Sequence, residues 1–364
     1  MKIVHIISTL NIGGAENFVV QLANSQVSQN RVTVLVLGHT DPENNYIAAL
    51  HSDVAYLELG WNVKYSLRQT YQLNRQLNNI GPHAVHVHLH NPFYYVFALS
   101  FFKRKPKYIH TMHSSFGNWK RVLGIIYKLR FLNNRIVHVS LSKTITDAIK
   151  KDFPKFRTTT IANGIRPYVP SRQRGAVKRF WHGFGVPPTK GFRFLAIGNI
   201  SDNKNYALLA QSFKALREQF PELMCIQVGA PSDKALTEEL KQINAPNVFL
   251  AGAVSNAADL LTEADALVIS SVQEGMPIVA LEALSMGVPI ITTPAGGMPD
   301  IVNPSIGFVS DDFEVTSFKK TLRQFMALSY YKKRELAANA KKMFRENYDI
   351  TIAERQYKLH YGLE

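Results

Sequence analysis

The chain has 364 residues, 46% of them hydrophobic and 19% charged, with 42 Lys+Arg against 27 Asp+Glu and a formal net charge of +15. That length implies two domains with cores of their own, and that composition excludes a disordered chain. Cys225 is the only cysteine, which excludes a disulfide framework and suits a reducing compartment, and no run of about 18 apolar residues offers a membrane span.

The first residues, MKIVHIISTLNI, form a short apolar run that meets a Gly-Gly turn, which predicts a first strand and not a secretory signal. VTVLVL, AVHVH, YIHTM and IVHVSLS follow as β-branched runs, separated by segments long enough for helices. Such alternation predicts βαβ units on a parallel sheet. From about residue 167 to 190 the pattern lapses into PYVPSRQRGAVKRFWHGFGVPPTK. Its Pro, Gly and basic residues predict an interdomain connection. The second half then repeats the scheme with RFLAIG, LMCIQVG, NVFLAG, ALVIS and VPIIT as strands. KNYALLAQSFKALREQF, apolar at helical spacing, reads as the helix after the first of them.

The positive charge is concentrated. Through Arg166 there are 20 basic against 7 acidic residues, and between Lys103 and Arg157 14 bases face only Asp147 and Asp152. A field of this kind attracts anionic surfaces such as nucleic acid, phospholipid or a phosphorylated lipid acceptor. FYYVFALSFF at 93–102 and WKRVLGIIYKLRF at 119–131 interleave apolar and basic residues, which suits an anionic membrane interface and equally suits core helices with snorkelling lysines. No nucleic-acid-binding motif with interleaved aromatics is present.

His83, His86, His88 and His90 form a run in which the last three alternate and are expected to share one strand face. Imidazoles bind zinc, but three on one flat face diverge, and no nearby Cys or carboxylate completes a tetrahedron, so no metal is expected. Gly13-Gly14 stands between the first strand and the first helix, where backbone can approach an anion. On the residues alone, an ordinary βα turn fits as well.

Glu274 and Glu282 stand eight residues apart in SVQEGMPIVALEALSMGVPIITTPAGGMPDIV. Gly275 and Pro277 read as a loop turning into a helix, with Met276 and Ile278 beside them, because Pro suits a first helical turn. Eight helical residues rise roughly 12 Å, near the separation of hexose and ribose in a nucleotide sugar. Amides at the helix start would meet a diphosphate between them. An amphipathic helix with one solvated acid accounts equally well for the two glutamates taken alone.

The motif, together with GGAE at 13–16, TMH at 111–113, NGI at 163–165 and the GN…KN stretch at 198–205, resembles the retaining glycosyltransferases of family four. The segments occur in that family's order and cover nearly the whole chain. The resemblance implies an α/β fold of the GT-B type, with two Rossmann-like domains facing a central cleft and a C-terminal helix crossing back. The expected division is an acceptor domain at 1–168 with 346–364 packing on it, a connection at 169–190, and a donor domain at 191–345. It implies transfer from a nucleoside-diphosphate sugar, with UDP-sugar expected, to a glycan or lipid-linked acceptor with retention of configuration. The setting would be cytoplasmic, peripheral on the inner face of the cell membrane. Glu274, His113 and Lys204 would be catalytic. Gly13, Gly14, Asn199, Lys204, Gly275, Met276, Pro277, Ile278 and Glu282 would bind the donor. The family usually carries Arg where this chain has Asn199, which shifts diphosphate charge onto Lys204 and the helix start. No Asp-x-Asp occurs in the chain, so neither cofactor nor metal is expected. A nucleotide-sugar epimerase on the same fold and a basic nucleic-acid-binding protein are the alternatives.

Overall fold

The structure is a computed structural model that describes residues 1–62, 66–90, 106–113, 136–185 and 191–362. The chain divides into two compact units, Met1–Arg166 with Asn347–Glu364, and Pro167–Glu346. Residues 93–102 and 119–131, the proposed membrane segments, lie outside the described residues, as do 186–190 of the expected connection.

The first unit is built on seven parallel strands: β1 Lys2–Ile7, β2 Arg31–Val36, β3 Ala55–Glu58, β4 Ala84–His88, β5 Lys107–Met112, β6 Ile136–Ser140 and β7 Thr158–Thr160. Their order is β3-β2-β1-β4-β5-β6-β7, so the sheet reverses direction of growth between β1 and β4. Helices cover both faces of such a sheet, which is why β1, β4 and β6 are buried along almost their whole length. Helix α1, Gly14–Gln26, buries Phe18, Val19, Leu22 and Gln26. Helix α2, Leu67–Ile80, is capped by the Ser66 hydroxyl, which accepts from the Gln69 amide, and stopped by left-handed Gly81. Helix α3, Lys143–Asp152, follows β6.

The second unit repeats the plan with β8 Phe192–Ile197, β9 Leu223–Val228, β10 Val248–Leu250, β11 Ala266–Ile269, β12 Ile290–Thr292 and β13 Gly307–Val309. The order is β10-β9-β8-β11-β12-β13, with its reversal between β8 and β11. Ile291, Phe194, Phe213 and Phe325 lie in its core.

The connection expected at 169–190 is, over its described part, structure of the second unit. Arg174–His182 forms helix α4, which buries Val177 and Trp181. The Trp181 indole donates to the Leu260 carbonyl at 3.2 Å. Two apolar residues one turn apart were enough to dock this helix, so its Pro-rich and basic flanks misdirected the sequence reading. Helices α5 Tyr206–Leu216, α6 Lys234–Ile243, α7 Ile278–Met286, α8 Met298–Ile301, α9 Val315–Met326 and α10 Tyr330–Asn347 complete the unit. The chain then returns. Helix α11, Ile350–Tyr361, packs against α1 and β5 of the first unit and buries Tyr357 and Tyr361.

Candidate functional site

Ligands of open α/β sheets bind outside the carboxyl ends of the strands flanking a reversal. In the second unit those strands are β8 and β11. Lys204 comes from the loop after β8 and Glu274 from the loop after β11. The Lys204 ammonium donates to Glu274 Oε1 at 2.7 Å. The Ser271 hydroxyl donates to the same oxygen at 2.7 Å. The two charged side chains are 26% and 11% exposed, so water screens the pair less than a surface pair.

Local chemistry holds these loops in place. Asn205 sits in the left-handed region at φ 45, which asparagine tolerates, and its Oδ1 caps α5 by accepting from the Leu208 amide. The Ser270 hydroxyl donates to the Lys204 carbonyl at 2.8 Å. The Val272 amide donates to the Asn203 carbonyl at 2.9 Å. From a third loop, Gly296 lies at φ +52 against Glu274, where an added Cβ would stand 1.8 Å from the Glu274 carbonyl oxygen. Gly296 of GGMPD therefore serves close backbone packing behind Glu274.

Helix α7 begins directly after Glu274, Gly275, Met276 and Pro277. Pro277 is its N-cap and no side chain caps its first amides. Uncapped amides at a helix start, with the helix dipole, favour an anion. Ile278 is the first residue of the helix, and Glu282 follows one turn in, as expected. Glu282 is half-buried, and burial, with the negative charge of Asp259 added, pushes its carboxyl up to about 7. Asp259 behaves differently. Burial raises it, but hydrogen bonds from the Ser171 hydroxyl, Tyr168, and the Ser171 and Arg172 amides outweigh that and hold it below the usual value. Sequence reasoning missed Asp259, because the 3₁₀ turn that carries it, Ala257–Glu263, bears no motif.

Asn199 is committed to structure through one atom. Its Oδ1 accepts from the Ala230 amide at 3.0 Å, tying the loop after β8 to the loop after β9.

The remaining expected residues lie in the first unit. Gly13 is the N-cap of α1 with an extended backbone, and Gly14 is the helix's first residue. An added Cβ on Gly13 would stand 2.3 Å from Glu16 Oε2. The carboxylate thus folds back over the helix start on which a diphosphate was expected, and burial raises its pKa. His113 directly follows β5, at the carboxyl edge of the sheet.

The histidine run departs from the sequence expectation in two ways. Leu89 is left-handed at φ 67, so the strand ends at His88 and His90 leaves the face shared by His86 and His88. His90 meets His110 instead, with ring centroids 5.7 Å apart. His5 on β1 then joins His86 and His88, and one ring nitrogen of each lies within 4.8 Å of the others. A metal ion could be held by such a group. Each of the six ring nitrogens nevertheless has a hydrogen bond already. His5 Nδ1 meets His88 Nε2 at 3.0 Å and His5 Nε2 meets Gln26 Oε1 at 2.8 Å. His86 meets Tyr361 and Thr111, each at 2.7 Å, and His88 Nδ1 meets His113 Nε2 at 3.2 Å. The donor set is satisfied as a polar network. The neighbouring strand that supplies His5 was beyond the reach of spacing rules.

Comparison with known proteins bears on the fold and the domains. Residues 12–168 match the family profile "Glycosyltransferase Family 4" and residues 177–343 match "Glycosyl transferases group 1". The chain is 24% identical over 334 residues to the putative glycosyltransferase EpsF of Bacillus subtilis, covering 85% of this chain and 83% of that protein. It is 26% identical over 242 residues to the UDP-Gal:alpha-D-GlcNAc-diphosphoundecaprenol alpha-1,3-galactosyltransferase of Escherichia coli, covering 60% and 59%. An uncharacterized glycosyltransferase of Methanocaldococcus jannaschii is 32% identical over 132 residues, but the chain spans only 32% of its length, against 35% of this one. Among solved structures, a glycosyltransferase from Rickettsia africae superposes with a TM-score of 0.83 at 15% identity over 99% of this chain and 97% of that one. HepE of Anabaena, in complex with UDP and glucose, gives 0.80 at 17% identity over 100% and 99%. The fold is GT-B.

Proposed function

Both halves of this chain are glycosyltransferase domains on a GT-B fold, and on that premise we propose that the protein moves a sugar from a nucleoside-diphosphate sugar to a glycan or lipid-linked acceptor with retention of configuration. The observation that carries the reading is the Lys204–Glu274 pair beside the uncapped start of α7, with Glu282 one turn further on.

Glu274 has its Oε1 held by Lys204 and Ser271, which orients Oε2 toward hydroxyls of the donor sugar. A fixed carboxylate there also stabilises positive charge at the anomeric carbon as the bond to the diphosphate lengthens. Lys204 and the amides of α7 meet the negative charge that collects on the leaving diphosphate. The acceptor oxygen then bonds to the anomeric carbon on the face the diphosphate leaves, and its proton passes to a diphosphate oxygen. Glu282, as a carboxylate, accepts from the ribose hydroxyls. Transfer without a metal is part of this proposal. UDP is the preferred nucleotide, a choice supported by the UDP complex of HepE and the UDP-Gal donor in the E. coli relative's name. That same name includes a diphosphoundecaprenol acceptor, which supports a lipid-linked acceptor here.

The test is a thermal-shift screen of UDP-, GDP- and ADP-sugars followed by transfer assays with lipid-linked and free glycans. A ligand at 100 times its dissociation constant adds about 2.7 kcal/mol of stability. Stabilisation by a nucleotide sugar, followed by transfer with the anomeric configuration kept, is the expected result. No stabilisation by any of them, or an inverted product, refutes the reading.

A further inference from the structure

Three imidazoles, His5, His88 and His113, stand in line in the first unit, and a chain of hydrogen bonds gives that line a direction. It begins at Gln26 on α1. The Gln26 amide nitrogen donates to the Tyr361 hydroxyl oxygen at 3.3 Å, which turns Oε1 toward His5 Nε2 at 2.8 Å. An amide oxygen only accepts, so His5 carries its proton on Nε2 and offers Nδ1 as a lone pair. His88 Nε2 lies 3.0 Å from that nitrogen and must donate to it. His88 Nδ1 is then a lone pair, and His113 Nε2, at 3.2 Å, must donate in turn. His113 is left with Nδ1 unprotonated. That atom is buried and takes no hydrogen bond among the described residues.

The rings stay neutral, as the relay requires. Burial lowers His5 to about 4 and His113 to about 3, and it takes His88 well below its ordinary value, with neighbouring imidazoles adding to the effect. The far end is anchored as well. The Tyr361 hydroxyl that accepts from Gln26 also pairs with His86 Nδ1 at 2.7 Å. His86 Nε2 pairs with Thr111 Oγ1 at 2.7 Å, and Thr111 pairs with Tyr357 at 2.8 Å. Both tyrosines belong to α11, so the helix that ends the chain sets the orientation at which the relay starts.

We infer that Gln26, His5 and His88 are positioning residues, a one-way relay that holds His113 in the Nε2–H tautomer and keeps its Nδ1 lone pair for a hydroxyl of the sugar being transferred. This rests on the preceding reading only for the identity of the hydroxyl. A His113 with the opposite tautomer would present N–H to that hydroxyl and could not accept from it.

The test begins on the unmodified protein labelled with ¹⁵N-histidine. Long-range proton–nitrogen correlation spectra read the tautomer of each ring. His5, His88 and His113 should all carry the proton on Nε2, and a proton on His113 Nδ1 overturns the relay whatever the activity. Gln26→Met removes the directing acceptor at similar volume. It should convert His113 into a tautomer mixture and lower kcat about tenfold or more, with a smaller change in donor KM. Gln26→Glu restores an acceptor and should recover both the single tautomer and the lost turnover. In a His113→Phe background, Gln26→Met should cost nothing further, because the two act as one unit. Losses that multiply there, or full activity of Gln26→Met despite a scrambled tautomer, overturn the positioning role. A protein with the stated tautomers that transfers no sugar supports the relay and refutes the proposed function instead.

Discussion

Lys204 and Glu274, 70 residues apart in the chain, meet at 2.7 Å across the reversal of the second sheet. Neither residue is positioned by its own strand alone. The Asn205 cap, the Ser270–Lys204 bond and the Val272–Asn203 bond lace the two loops together.

Glu274→Gln keeps the shape and removes the charge that Lys204 and Ser271 orient. Turnover should fall by about 10²–10³, the range found when one preorganised electrostatic contact is lost. Nucleoside-diphosphate affinity should stay within about threefold, because Glu282 and the start of α7 are untouched. Calorimetry and steady-state kinetics decide this, and a fully active variant removes Glu274 from the reaction.

Glu282 should make donor binding depend on pH. Its folded pKa of about 7 lies above the unfolded value of 4.5. The raised value favours the protonated fold, so this contribution to stability is complete below the unfolded pKa and is lost as pH rises through 7. The proposed ribose recognition needs the carboxylate and runs the other way. Affinity for a UDP-sugar, whose diphosphate has no ionisation in this range, should rise up to about tenfold per pH unit until about pH 7 and then level off. Glu282→Gln should bind more weakly at neutral pH and flatten that profile. Calorimetry between about pH 5.5 and 8.5 measures it, and a flat wild-type profile refutes the assignment.

Trp181 is 1% exposed and its indole donates to the Leu260 carbonyl. Trp181→Ala leaves both a cavity and an unpaired buried carbonyl, so the second unit should lose about 3–5 kcal/mol of stability. Denaturant unfolding should show that loss. A change under 1 kcal/mol would mean that α4 behaves as the interdomain connection expected from the sequence.

Metal independence is open to a direct check. Turnover should survive dialysis against EDTA, because Lys204 and the α7 amides are assigned the diphosphate charge. Loss that manganese or magnesium restores would overturn the metal-free reading. Loss restored by zinc would point to the His5, His86 and His88 nitrogens.

The basic segment between Lys103 and Arg157 should bring the protein to anionic vesicles, at about 1 kcal/mol per Lys or Arg near the surface, with release by salt. Among its described residues, Lys143, Lys150 and Lys151 are exposed on or beside α3. Replacing Lys103, Arg104, Lys105 and Lys107 with Ser should weaken co-sedimentation without changing donor affinity. Equal binding to neutral vesicles, or none to either kind, would rule out a membrane-facing role. No helix of the described residues is long and apolar enough to cross a membrane.

What the amino-acid order determined by itself was local. β-branched runs, turn glycines and helical spacing located ten of the strands, because burial on both faces leaves a continuous apolar run. Strands β3, β7 and β13 escaped, since AYLE, TTT and GFV are too short to carry a period. Glu274, Pro277 and Glu282 were legible because one loop and one helix hold all three, so their spacing is set by the rise per residue. Tertiary structure decided whatever depends on strand order. It brought Lys204 to Glu274, Asp259 to Glu282, and His5 between Gln26 and His88. Periodicity shows which residues are buried but not which strand lies alongside. That is settled by how whole sheets close and pack, where each pairing has many competitors of similar local energy.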